Sequence, residues 1–108
     1  MKFIVRPLAR FDLLEAADFI EKAYNLDRVR AFFFAANETF TKLAQQPLLG
    51  SPRPHLAAQL PDLRQWRIKG FESYLIFYVP LPNGVEVVRV LHSRQNIQAI
   101  LSDEEWQS

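Results

Sequence analysis

Hydrophobic and polar positions along this chain change period twice, and the changes divide it into elements. Between residues 9 and 24, Leu13, Ala17, Ile20 and Tyr24 recur at helical spacing and predict a first helix. Asp12 and Glu15 fall in its opening turns, where the helix dipole favours negative charge. Val29, Phe33, Ala36, Phe40 and Leu43 then follow alternating steps of four and three, a longer second helix closed by Pro47 and Gly50. Asn25 suits the end of the first helix in the left-handed conformation, and Asn25 or Asp27 suits the cap of the second. A join this short makes an antiparallel helical hairpin.

From residue 64 the pattern switches to strands. Residues 64–69, 74–79 and 85–91 read as three strands, and the short connections between them return each one antiparallel to the last. The middle strand, Tyr74-Leu75-Ile76-Phe77-Tyr78-Val79, is apolar at both parities, which predicts burial on both faces and a central place. Residues 3–6 form a short first strand ended by Pro7. Residues 48–62 are rich in proline, have no period and read as a surface connection. Residues 95–101 can form one short helix. Ser102 and Glu105 have capping-box spacing, but so little chain follows that a frayed tail is expected. The predicted fold is α+β in a single domain, 1–108: an N-terminal strand, an antiparallel two-helix hairpin, a three-strand antiparallel meander packed on the helices, and a short C-terminal helix or tail.

Composition narrows the chemistry. The 108 residues include no cysteine, which removes thiol catalysis, disulfide scaffolds and Cys-type zinc sites, and fits a cytoplasmic setting. Two histidines without a carboxylate at ligand spacing give no metal site, and three glycines form no phosphate loop. No cofactor is expected. No apolar run approaches the ~20 residues of a membrane helix, and the N-terminus is too polar after Val5 for a signal-peptide core. Net charge is only +1, but residues 53–94 hold six basic side chains (Arg53, Arg64, Arg67, Lys69, Arg89, Arg94) against three acidic ones (Asp62, Glu72, Glu86).

Few residues invite a chemical role. His92 ends the last strand and titrates near neutrality, so it is the natural proton-transfer candidate, though a hydrogen-bonded structural histidine is the commoner case. Arg64 shares a strand face with Trp66 and Ile68; it either reaches the sheet margin or joins Arg89 and Arg94 in a cationic site. Arg89 shares its face with Val87 and Leu91 and reads equally as a paired, half-buried arginine. His55 has no visible partner. In the Phe32-Phe33-Phe34 run, Phe33 belongs to the predicted core stripe, Phe32 borders it, and Phe34 points toward Glu38 and Thr41. An exposed phenylalanine beside a core stripe marks a candidate interface.

The element order, with Leu63-Arg64, Phe71, the Leu75-Ile76-Phe77-Tyr78 centre and the closing Arg89-Val90-Leu91-His92-Ser93-Arg94-Gln95-Asn96, resembles the RelE/ParE toxins, and within them the ParE branch. The resemblance implies the toxin half of a type II toxin–antitoxin pair, of the kind that stabilises plasmids in bacteria. It implies a cognate ParD-like antitoxin that wraps the toxin in a hetero-oligomer, and DNA gyrase as the target, inhibited by binding without catalytic residues. It implies no membrane partner and no sequence-specific DNA contact by this chain. Expected antitoxin contacts are Phe32, Phe34 and Glu38; expected target contacts are Arg64, Arg67, Arg94 and Trp106. The RelE branch instead cuts messenger RNA on the ribosome, and here that alternative would need Arg64, Arg89, His92 and Arg94 as its catalytic set. The chain departs from the nuclease pattern: residues 48–62 hold no lysine, and after Arg94 there is no tyrosine or histidine, only Trp106, which is neither acid nor base. A non-toxic interaction module of the same fold is a third reading.

Overall fold

The computed structural model describes residues 2–107. In chain order it contains β1 (Lys2–Val5), α1 (Pro7–Ala23), α2 (Leu26–Gln45), β2 (Ser51–Pro52), β3 (Arg64–Ile68), β4 (Phe71–Leu81), β5 (Gly84–His92) and α3 (Ile97–Ser102), followed by a 3-10 turn at Glu104–Gln107. The sheet runs β1-β5-β4-β3-β2, with β1 parallel to β5 and every other neighbour antiparallel. The α+β order is the one the sequence predicts. The meander is enlarged by β2 on one side and by β1 on the other.

Local chemistry sets the elements. Pro7 opens α1 at its first turn, where the missing N–H costs nothing. Asn25 does not close α1 in a left-handed conformation: its backbone is extended, and its side chain accepts from the Arg28 N–H to cap α2. The β3–β4 connection is only Lys69-Gly70, shorter than the sequence pattern indicated, and Gly70 takes φ 84°, a conformation that favours glycine. Gly84 is required for space. A Cβ there would lie 1.8 Å from the Lys2 carbonyl oxygen, so only glycine lets β1 pair with β5.

β4 is central and covered on both faces, as its doubly apolar sequence requires. One face, with Ile76, Tyr78, Val87 and Val90, meets the helical hairpin through Leu13, Ile20, Phe32, Phe40 and Leu43. The other, with Leu75, Phe77, Val88 and Leu91, is covered by Ala57, Leu63 and Leu101 together with partly buried Leu56, Leu60 and Trp106. A register shift at Phe77/Tyr78 leaves Val88 as an extra residue on β5, so Val88 and Val90, two apart, are buried on opposite faces.

Four expectations are corrected. The buried line of α2 is Phe32, Ala36, Phe40 and Leu43, with Phe33 only half-buried, because the helix is rotated toward Phe71 and Tyr74, whose rings meet Phe32 edge-on at 5.3 and 5.2 Å. In α1 the buried residues are Ala9, Asp12, Leu13, Ala16 and Ile20, and Tyr24 is exposed. The proline-rich segment and the tail are not merely surface. The segment supplies core residues, and the tail is pinned by Gln107, which accepts from the Gln59 N–H and donates to the Leu101 and Asp103 carbonyls. The cap of the terminal turn is Asp103, bonded to the Glu105 N–H, rather than Ser102.

Candidate functional site

A surface concavity of about 770 Å³ lies between α2 and the outer edge of β3. Its apolar side is Phe34, Ala35 and Trp66. Its rim alternates in charge, with Glu38 and Glu72 against Lys42, Arg67 and Lys69. Phe34 is 69% exposed at its mouth. The helical repeat produces this: Phe34 and Glu38 are four apart on α2, one turn, and both look away from the buried line through Phe32 and Ala36. Arg67 is held at the opposite lip by donating to the Glu72 carbonyl at 2.6 Å. Thr39 bridges the two walls, donating to the Ala35 carbonyl and accepting, at 3.4 Å, from the Lys69 N–H.

The same groove adjoins an open sheet edge. β2 pairs with β3 only at Arg64 and Gln65, so Trp66–Ile68 has no strand on its outer side among the described residues. A row of unpaired backbone groups beside an apolar groove is a surface that can accept an extended or helical segment of another chain.

The structure brings Phe34, Glu38 and Arg67 into this one groove. It places the other predicted site residues elsewhere. Phe32 is fully buried against Phe71 and Tyr74 and offers no surface. Arg64 donates to the Leu48 and Gly50 carbonyls at 3.0 and 2.6 Å. Beside it the Tyr78 hydroxyl donates to the Pro47 carbonyl and accepts from the Gly50 N–H, both at 2.8 Å. The two side chains tie the end of α2 to the sheet. Gly50 is obligatory there, since a Cβ would stand 2.6 Å from the Tyr78 oxygen. Burial pushes the Tyr78 phenol above its ordinary pKa, partly offset by the Gly50 hydrogen bond and the nearby Arg64 charge.

Arg89 is half-buried and paired, the second of the two readings its sequence position allowed. It grips Asp12 bidentately through Nε and Nη2, at 2.8 and 2.9 Å, and Asp12 also accepts from the Val90 N–H. Side-chain exposures of 14% and 7% make this a mostly buried ion pair. Asp12 is therefore not an opening-turn dipole residue; α1 starts at Pro7 and carries Asp12 to the β5 edge. Trp106 lies over the Arg89 guanidinium at 5.5 Å and packs into the second core, half-buried, with an indole N–H that finds no protein partner. Sequence reasoning missed the Asp12–Arg89 pair because the two residues are 77 apart and neither is unusual in its own element.

His92 and Arg94 stand together at the end of β5, where the Arg94 N–H donates to His92 Nδ1. Arg64 is far from them. It is opposite Tyr78 on β4, whereas His92 is opposite Tyr74, four residues or about 13 Å along the strand. His55 is exposed in the proline-rich segment. Among the described residues no group of three His, Cys, Asp or Glu side chains converges to hold a metal, and no helix is long and apolar enough to cross a membrane.

Comparison with curated proteins gives no match. A family model does match, the ParE toxin of the type II toxin–antitoxin system parDE, and it spans residues 3–97. That span takes in β1, the hairpin, the whole sheet and the start of α3, every element that shapes the groove. The chain belongs to the ParE toxin family of type II toxin–antitoxin systems.

Proposed function

We propose that this toxin acts by binding DNA gyrase rather than by catalysis, and that a cognate ParD-like antitoxin neutralises it by occupying the groove between α2 and β3. The observation that carries the first part is the fate of the polar residues a nuclease would need. Arg89 is consumed by Asp12, Arg64 by two backbone carbonyls, and His92 lies about 13 Å along the sheet from Arg64. In-line attack on a ribose phosphate needs a base, an acid and a phosphate-binding cation within reach of one phosphodiester. The sheet face beneath α3 is instead filled by Leu75, Phe77, Val88 and Leu91. Binding explains the remaining exposed cations better than chemistry does.

The second part rests on the groove. Phe34 offers an anchor for an apolar side chain, Glu38 and Arg67 offer opposite charges across the mouth, and the open edge of β3 offers backbone partners. An antitoxin seated there covers Arg67, one of the residues assigned to target contact, so neutralisation is by occlusion. Arg94 contributes to gyrase contact from the other end of the sheet. Trp106, half-buried against Arg89, acts by holding the β5 edge.

Purified toxin added to gyrase and supercoiled plasmid tests the target. The expected result is loss of supercoiling with accumulation of cleaved DNA, reversed by stoichiometric antitoxin. Unchanged supercoiling and cleavage at micromolar excess of folded toxin would sink the gyrase assignment.

A further inference from the structure

A second concave region meets the α2 groove only at Gly70 and Glu72, extends along α1, and goes beyond the toxin and antitoxin reading. Two hollows of about 360 and 240 Å³ adjoin across Phe19, Tyr74 and His92, which line both. Together they form a trough between the C-terminal half of α1 and the end of the β4–β5 pair. We propose that this trough binds an extended peptide in which one apolar side chain lies between two carboxylates.

The floor selects the apolar side chain. Phe19 is exposed although the helix could have placed a polar residue there, and it faces Tyr74, whose ring meets His92 at 5.0 Å in a T-shaped contact. The ends select the carboxylates. Arg94 closes one end and Arg28 the other. Arg28 lies over the Phe71 ring at 4.3 Å, a cation–π contact. The ion pairs of the described residues are Arg6–Glu86, Lys22–Asp18, Arg30–Asp27 and Arg89–Asp12, so neither end cation has a carboxylate of its own. Arg53, Arg64 and Arg67, by contrast, donate to backbone carbonyls.

The middle of the trough suits a peptide backbone. His92 Nδ1 accepts from the Arg94 N–H, so the neutral ring carries its proton on Nε2, a donor for a peptide carbonyl. Burial holds the Tyr74 phenol protonated beyond its ordinary range, which keeps it a donor as well. The spacing is short. Phe71, under Arg28, and Tyr74, beside His92, are three residues apart on β4, about 10 Å. Carboxylate-bearing residues four apart on an extended peptide span about 13 Å and reach both ends.

Single-stranded nucleic acid would also like aromatic rings and guanidinium groups, but the walls decide against it. Glu15 lines one hollow and Glu72 the other. A strand with a charge on every phosphate meets these carboxylates, whereas a peptide carries negative charge only where an arginine waits.

The test is an amide NMR titration of the full-length protein with the blocked pentapeptide acetyl-Glu-Ala-Leu-Ala-Asp-amide. The expected result is saturable shifts centred on Phe19, Tyr74, His92 and Gln95. Arg28→Glu and Arg94→Glu should each weaken binding by about tenfold or more, as should the Gln/Asn version of the peptide. Both arginines are exposed, so an unchanged urea midpoint verifies that the variants are folded. Replacing leucine by alanine in the peptide should weaken binding with the arginines intact. No saturable shift at millimolar peptide, equal binding of the neutral peptide, or shifts confined to the α2 groove would overturn the proposal. So would tighter, Arg28- and Arg94-dependent binding of oligouridylate.

Discussion

The sheet has two incomplete edges, and the protein treats them in opposite ways. On the outer side of β5, β1 pairs only as far as Val87. Beyond it the exposed backbone is closed by side chains: Asp12 takes the Val90 N–H, and Gln95 takes the His92 N–H and returns its own to the His92 carbonyl. On the outer side of β3, β2 stops at Gln65, and Trp66–Ile68 is left without a neighbouring strand beside the Phe34 groove among the described residues. An unprotected edge invites pairing, and proteins ordinarily blunt it. Closing one edge with a buried ion pair while leaving the other beside an apolar anchor supports the proposed seat of the antitoxin at the second. It also separates residues that look alike in sequence. Arg89 is a fastening, and Arg67 is a surface.

Four substitutions break or sharpen this contrast, in falling order of effect. Asp12→Ala leaves the mostly buried Arg89 without its counter-charge and Val90 without an acceptor, which should cost about 3–5 kcal/mol in urea unfolding. A loss below about 1 kcal/mol would mean that the pair is screened as a surface bridge is.

Tyr78→Phe, at the root of the open edge, removes the partner of the Gly50 N–H and the Pro47 carbonyl and should cost about 2 kcal/mol. This position also has a pH signature. The folded-state pKa of Tyr78 is raised above its ordinary 10.0, so its contribution is complete below that value and is lost as pH rises through the higher folded pKa. Tyr78→Phe should therefore flatten the alkaline fall in stability. An unaltered alkaline slope would place the titration elsewhere.

Phe34→Asp touches only the groove mouth. Stability should change by less than about 0.5 kcal/mol, while antitoxin affinity falls by about ten- to thirtyfold, or 1–2 kcal/mol. Calorimetry with the cognate antitoxin reads both quantities, and unchanged affinity would remove the antitoxin from this groove. Gln95→Ala, at the exposed end of the closed edge, should cost only about 0.5 kcal/mol, because water replaces the lost acceptor.

The sequence makes some of this legible and not the rest, for physical reasons. β3, β4 and β5 stand where apolar runs and tight connections placed them, because a strand buried on both faces must be apolar at both parities. The hairpin was readable as two helices, but its rotation was not. Three consecutive phenylalanines lie 100° apart, and which one is buried depends on Phe71 and Tyr74 across the core rather than on α2 itself. The cover of the second sheet face was missed because a proline-rich segment and a short tail bury Leu56, Ala57, Leu60 and Trp106 without any period. Of the groove, Phe34 and Glu38 could be seen from helical spacing. Its other wall could not, since nothing local shows that β2 is only two residues long. The Asp12–Arg89 pair was beyond reach for the same reason: it joins the first helix to the last strand.

The most direct test of the central claim is pulse labelling of bacteria carrying the gene under tight induction. Thymidine and methionine incorporation are followed through the first minutes after induction, with soluble toxin verified. Binding to gyrase predicts that thymidine incorporation falls first while methionine incorporation continues. Early collapse of methionine incorporation with DNA synthesis still running would contradict it, and would return His92, Arg64 and Arg94 to the position of catalytic suspects.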